Sequence, residues 1–130
     1  MTFQKVMKLV RDKIPDKIVE DGGNPIVRTL EDEEFEMHLG LKLMEEFVEV
    51  SIAESYSDKV EELADLFTVF SAILEFHNVD YNDIVKKAEE KRDRLGSFLQ
   101  GKFLMGLEMN DHNDAHYNRM YNLWSYQYQK

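Results

Sequence analysis

Glu46 and Glu49 stand three residues apart, and so do Glu62 and Asp65. At that spacing two side chains share one face of a helix, where like charges repel by roughly a few tenths of a kcal/mol even in water. Wound at roughly 100° per residue, Leu39, Leu43, Met44, Phe47, Val48 and Val50 cover one broad apolar arc. Glu45, Glu46 and Glu49 fall together at the edge of that arc, not opposite it. The second stretch is apolar nearly all round, with a polar strip of Glu61, Thr68, Ser71 and Glu75. Glu62 and Asp65 lie off the strip, on a stripe with Val69, Ile73 and Phe76. Two such acidic pairs meeting at a core edge cost on the order of several kcal/mol unless protonated or neutralised. A bound divalent cation offsets that charge more simply than protonation, and oxygen-only donors suit Mg²⁺ or Mn²⁺. Glu46, Glu49, Glu62 and Asp65 are therefore read as an ExxE pair and an ExxD pair converging on a hard metal.

Other readings of these residues are weaker. Acids on a helix commonly make a solvated face, and that reading suits Glu61. It competes with a role beside the site for Glu45. A carboxylate-bridged di-iron centre needs Glu-x-x-His motifs, and none of His38, His77, His112 and His116 has an acid three residues before it. His112 and His116 stand at i, i+4, with Asp111 and Asp114 nearby, too few donors for a convincing metal site. With no Cys in the chain, thiolate ligands, thiol nucleophiles and disulfides are excluded.

The elements that must position these acids are helices. Gly 6 and Pro 2 in 130 residues leave room for few turns, so a small number of long elements is expected, in a single domain. A first amphipathic stretch covers about 11–21, with Ile14, Ile18 and Val19 on one side, Pro15 near its start and Gly22-Gly23 as its stop. Pro25 to Leu30 reads as an extended connector. Long helices follow at about 32–54, capped by Thr29 or Asp32, and at about 58–77, capped by Asp58. A turn at 78–80 leads to a further helix at about 80–94, capped by Asp80 and ended by Gly96. Short loops between long helices imply antiparallel neighbours, hence an all-α bundle of four core helices. Residues 105–130 hold four of the six tyrosines and the single Trp. Tyr117, Met120, Tyr121, Trp124 and Tyr128 recur at helical spacing, which predicts an accessory C-terminal helix over about 114–126. The expected division is 1–104 and 105–130.

The net charge of −10 makes general binding to nucleic acid unfavourable, while a small phosphorylated ligand can still be held through a metal. No apolar run approaches the roughly 18 residues of a membrane helix, and no signal-peptide core is present, so a soluble cytoplasmic protein is expected.

EEFVE at 45–49 followed by ELAD at 62–65 resembles the EExxE…ExxD signature of the all-α NTP pyrophosphatases, which include MazG and dimeric dUTPase. KLVRDKIP at 8–15 and IVRTLEDEEF at 26–35 resemble more narrowly the phosphoribosyl-ATP pyrophosphohydrolase-like branch. The resemblance covers about residues 5–104. It implies a helical bundle that forms a homo-dimer or homo-tetramer, with Mg²⁺ on Glu46, Glu49, Glu62 and Asp65 and Glu45 near the site. It also implies cleavage between the α and β phosphates of a nucleotide, giving a nucleoside monophosphate and pyrophosphate. Bases near 87–98 would then serve the phosphates. Relatives tend to carry an Arg immediately before Gly-Gly-Phe; here Leu95 stands at that position and Ser97 replaces a Gly, leaving Lys91 and Arg94 as the nearby bases. Arg11 and Lys13 of KLVRDKIP are the other phosphate-binding candidates, although each base also suits an ordinary charged helix end.

Glu46 or Glu49 is the expected general base, activating water without a covalent intermediate. The expected substrate is a house-cleaning or phosphoribosyl-ATP-like nucleotide. The competing class is a catalytically silent helical oligomer that binds nucleotide or a partner protein. Five acids kept beside a core favour the enzyme.

Overall fold

A computed structural model describes residues 2–108 together with residues 118, 119 and 122. The described residues are all-helical, with no strand: α1 (Ile14–Glu20), α2 (Asp32–Ile52), α3 (Tyr56–Phe76) and α4 (Tyr81–Leu95). The chain divides into two compact units, Met1–Asp93 and Arg94–Lys130.

Local stop signals account for most helix ends in the first unit. Pro15 opens α1, where its missing N–H costs nothing. Gly22 takes φ +88°, its N–H donates to the Val19 carbonyl and that of Gly23 to the Ile18 carbonyl, closing a Schellman turn. Asn78 closes α3 in the same way at φ +54°, with Asn78 N–H on the Glu75 carbonyl and Val79 N–H on the Leu74 carbonyl. Asp80 accepts from Asn82 N–H at 2.7 Å and its carbonyl from Ile84 N–H, so it caps α4 as expected.

Two expected caps differ. The N-cap of α3 is Ser55, not Asp58, because the Ser55 hydroxyl accepts the Asp58 N–H at 3.0 Å and starts the helix three residues earlier. The N-cap of α2 is Glu31 rather than Thr29 or Asp32, without a side-chain cap bond. Acids in its first turn and the Arg28–Glu34 ion pair serve that end instead.

α2 and α3 are joined by only three residues, which turns the chain back on itself. Their pairing is antiparallel along its whole length. Near the connection Lys59 Nζ donates to the Val50 carbonyl at 2.7 Å, placing a cation at an α2 C-terminus that has no base of its own. At the far end the Phe35 and Phe76 rings meet edge to face at 5.6 Å, and His77 lies 3.2 Å from Glu36. Phe67 of α3 meets Tyr81 at the start of α4, ring to ring at 6.0 Å.

The core is smaller than the helical patterns suggest. Leu39, Val69 and Leu74 are the buried hydrophobic residues among those described. Met44, Phe47 and Val48, expected on the apolar arc of α2, are exposed, as are Val60, Leu63 and Phe67 of α3. α1 buries none of its residues. Periodicity identifies an apolar face but not what covers it, and these side chains stay largely open, Phe67 included despite its ring contact with Tyr81.

In the second unit, which begins at Arg94, Gly96 takes φ +84° and Gly101 N–H closes a turn on the Phe98 carbonyl. The helix expected over 114–126 lies outside the described residues apart from residues 118, 119 and 122, which are helical. Among the described residues no helix is long and apolar enough to cross a membrane.

With so few buried side chains, each carries much of the stability. Leu39→Ala is expected to destabilise the fold by about 2–5 kcal/mol in chemical denaturation, against roughly 1 kcal/mol for loss of the cap in Ser55→Ala. Equal, small effects from both would show that the α2–α3 seam is not the core.

Candidate functional site

The α2–α3 pairing sets Glu46 across from Glu62 and Asp65. One carboxylate oxygen from each lies within 4.8 Å of the other two. Glu46 is buried, at 8% exposure, and Glu62 and Asp65 are half-buried. The three come from two helices, Glu46 from the ExxE pair and Glu62 and Asp65 from the ExxD pair. Glu49, one turn beyond Glu46, is half-buried and outside that close group. Its charge is nonetheless felt there. Burial pushes the Glu62 carboxyl above the ordinary range, and the charges of Asp65, Glu49, Glu46 and Glu61 push it further. Glu61 itself is exposed, as its place on the polar strip implies.

Bases partly offset this negative charge. Lys42, only 21% exposed, lies one turn before the acids on α2, with its Nζ 3.3 Å from Glu45 Oε1 and 3.3 Å from Glu46 Oε1. Lys8 Nζ donates to Glu45 Oε1 at 3.1 Å. Burial opposes the charged form of Glu45, but the hydrogen bonds and charges of Lys8 and Lys42 outweigh it and hold the carboxyl below its usual range. Arg11 donates to Asp65 Oδ1 at 2.6 Å and to Thr68 Oγ1 at 3.3 Å.

Of the four bases picked out from the sequence, the fold brings Arg11 onto the acids. Lys13 and Lys91 are exposed, and among the described residues neither makes a hydrogen bond or ion pair with the acidic group. Arg94 is exposed and belongs to the second unit. Lys42 is not among the candidates drawn from the sequence, and Lys8 stands in KLVRDKIP beside Arg11 and Lys13 without a phosphate role assigned to it; both touch the acids. Lys42 was within reach of a local rule, since it precedes Glu45 by three residues and Glu46 by four. Lys8 lies in a segment without regular structure, 37 residues from its partner, and no local pattern ties the two.

The donor set fits a hard divalent cation. All three converging groups are carboxylates, with no imidazole or thiolate among them. Ligand oxygens at about 2.0–2.1 Å from Mg²⁺ lie up to about 4 Å apart, a spacing comparable to that of these three, so Glu46, Glu62 and Asp65 would hold such an ion. Burial and the neighbouring acids together disfavour the charged form of Glu62, a cost that a bound cation would offset.

That repulsion has a pH signature. A carboxyl raised on folding holds its proton more tightly in the native state. Its contribution is therefore most favourable below the unfolded carboxyl pKa and is lost as pH rises through the folded value. In chelator-treated protein, Glu62→Gln should be more stable than wild type at pH 7, and the gap should close as pH falls toward about 4. A wild type that gains on Glu62→Gln with rising pH would contradict the repulsion.

Similarity to known proteins bears on this site. The chain is 41% identical over 54 residues to an uncharacterized protein of Mycolicibacterium smegmatis, an alignment covering 42% of this chain. The chain spans about half the length of that relative, 55%. No solved structure matches the chain. The family model described as phosphoribosyl-ATP pyrophosphohydrolase matches residues 2–92, which takes in KLVRDKIP and both acidic pairs, and it supports a pyrophosphohydrolase type of function. With well over half of its length matched, the chain belongs to the phosphoribosyl-ATP pyrophosphohydrolase family.

Proposed function

We propose that this protein is an Mg²⁺-dependent nucleotide pyrophosphohydrolase that cleaves a nucleoside triphosphate, or a phosphoribosyl-ATP-like relative, between its α and β phosphates. The observation that carries the reading is the convergence of Glu46, Glu62 and Asp65 at one point of the α2–α3 seam. Bound between those residues, Mg²⁺ or Mn²⁺ supplies Lewis acidity toward phosphate oxygens and water.

Glu49 is the carboxylate best suited to act as general base. It stands beside the close group without joining it, so its oxygens stay free to take a proton from water. Glu46, buried and held by Lys42, is the better ligand of the two. Attack by water in line on the α-phosphorus forms a new P–O bond and breaks the bond to the bridging oxygen. The proton passes to Glu49, and pyrophosphate leaves. Arg11, Lys13 and Lys91 are the bases of the same unit proposed to stabilise charge on the phosphates. Glu45, tied to Lys8 and Lys42, positions those bases rather than the substrate.

Hydrolysis in ¹⁸O-water is expected to label the monophosphate and leave pyrophosphate unlabelled. Glu46→Gln, Glu49→Gln, Glu62→Gln and Asp65→Asn should each lower turnover by at least about 10²-fold. Inorganic phosphate as the first product, or full activity in Glu49→Gln, sinks this mechanism. Absence of turnover on any nucleotide with Mg²⁺ favours the silent binding protein instead.

The assembly we propose is a homo-dimer or homo-tetramer. Met37, Leu41, Met44 and Val48 recur at i, i+4, i+7 and i+11 on α2, and all four are 52–66% exposed. A continuous apolar stripe of this kind marks an interface, and a second copy offers the same stripe in return. Light scattering on the wild type should give a multiple of the 15.4 kDa chain mass, and Met44→Glu should shift it toward the monomer. A wild type that runs as a monomer at micromolar concentration refutes the assignment.

A further inference from the structure

Arg11 is held in place from both sides. Three residues before it, Lys8 is tied to Glu45, a carboxylate outside the close group. Three residues after it, Ile14 N–H donates to the Arg11 carbonyl at 3.0 Å and leads into α1. Between these anchors the side chain spans to α3, with one guanidinium nitrogen on Asp65 Oδ1 at 2.6 Å and on Thr68 Oγ1 at 3.3 Å. The Thr68 hydroxyl donates to the Ala64 carbonyl of its own helix, which leaves its lone pairs to accept from Arg11.

Asp65 therefore already has a cation. A hard metal needs carboxylate oxygen from the same residue, and two positive groups crowded on one carboxylate repel each other. The pair is exposed enough to exchange: the Arg11 side chain is 56% accessible and that of Asp65 36%. Ion pairs of this kind are weak, so a divalent cation can displace Arg11 at little cost. Lys42 differs. It is mostly covered and lies on the same helix as Glu45 and Glu46, so it stays. A displaced guanidinium, tethered on both sides, has a planar fork of donors that matches phosphate oxygens.

We propose that Arg11 is an internal stand-in for the metal, giving up Asp65 when a divalent cation enters and turning to the phosphates of the substrate. The inference rests on the metal site proposed above. It makes Arg11 a counter-ion in the free protein and a phosphate ligand in the loaded one.

The two roles predict opposite signs for one substitution. Calorimetric titration of Mn²⁺ into the full chain at low ionic strength should show Arg11→Gln binding about three- to tenfold more tightly than wild type. Lys5→Gln removes the same charge from the same segment and should change affinity by less than about twofold, because the exposed Lys5 has no Asp65 contact to lose. Arg11→Lys keeps a cation near Asp65 and should stay close to wild type in Mn²⁺ affinity. In steady-state hydrolysis, Arg11→Gln should raise KM for the nucleotide by about tenfold or more with a small change in kcat. Tighter metal with weaker substrate is a combination that misfolding does not produce. Equal or weaker Mn²⁺ binding by Arg11→Gln, with wild type still binding, overturns the exchange and leaves the metal site standing. Tighter Mn²⁺ binding with unchanged KM overturns the transfer to phosphate. No Mn²⁺ binding by wild type and Arg11→Gln alike overturns both the exchange and the site beneath it.

Discussion

The three-residue link between α2 and α3 forces two long helices side by side in opposite directions, and the register of that hairpin decides which side chains meet across the seam. Phe35 against Phe76 at one end and Lys59 on the Val50 carbonyl at the other leave little freedom to slide. Between these ends Glu46 must face Glu62 and Asp65. A shift of α3 by one residue would rotate its acids by roughly 100° and carry them off the seam. Ser55, which caps α3 and begins it close to the turn, contributes to the register as much as to helix stability.

Placing carboxylates at a seam is costly, and the chain counters the cost in layers. Lys42 sits within the same helix and touches both Glu45 and Glu46. Lys8 and Arg11 come from a segment without regular structure that lies far off in sequence. Lys8 and Lys42 satisfy Glu45 well, and its carboxyl titrates below its usual range. Glu62 feels burial and the charges of other acids, and it titrates above that range. The imbalance lies on the residue that faces Glu46 and Asp65, where an added cation would act most strongly.

The same hairpin explains the thin core. Two helices alone can bury one seam, and here that seam covers Leu39, Val69 and Leu74 while the outward apolar stripe of α2 stays open. α4 adds a ring contact through Tyr81 but carries mostly charged residues. A single chain of this kind has little apolar burial to set against conformational entropy.

Helix existence and most helix ends are legible in the sequence because the signals are local. Gly22-Gly23, Asn78 and Asp80 each act within a few residues, and the structure uses all of them. The placement of acids beside apolar arcs is legible for the same reason, since i, i+3 spacing and helical winding need no tertiary information. Local reasoning misplaces the α3 start only because Ser55 and Asp58 are both good caps and the choice between them is small in energy. What the tertiary structure alone decided concerns distances between elements. It separates Glu46, which joins Glu62 and Asp65, from Glu49, which lies one turn away on the same helix and does not. It brings Lys8 to Glu45 and Arg11 to Asp65 across 37 and 54 residues of chain. It also shows that the arc carrying Met44 and Val48 is uncovered. Periodicity records which side of a helix is apolar or acidic; how closely that side approaches another element, or whether any element approaches it, depends on crossing geometry that no single segment encodes.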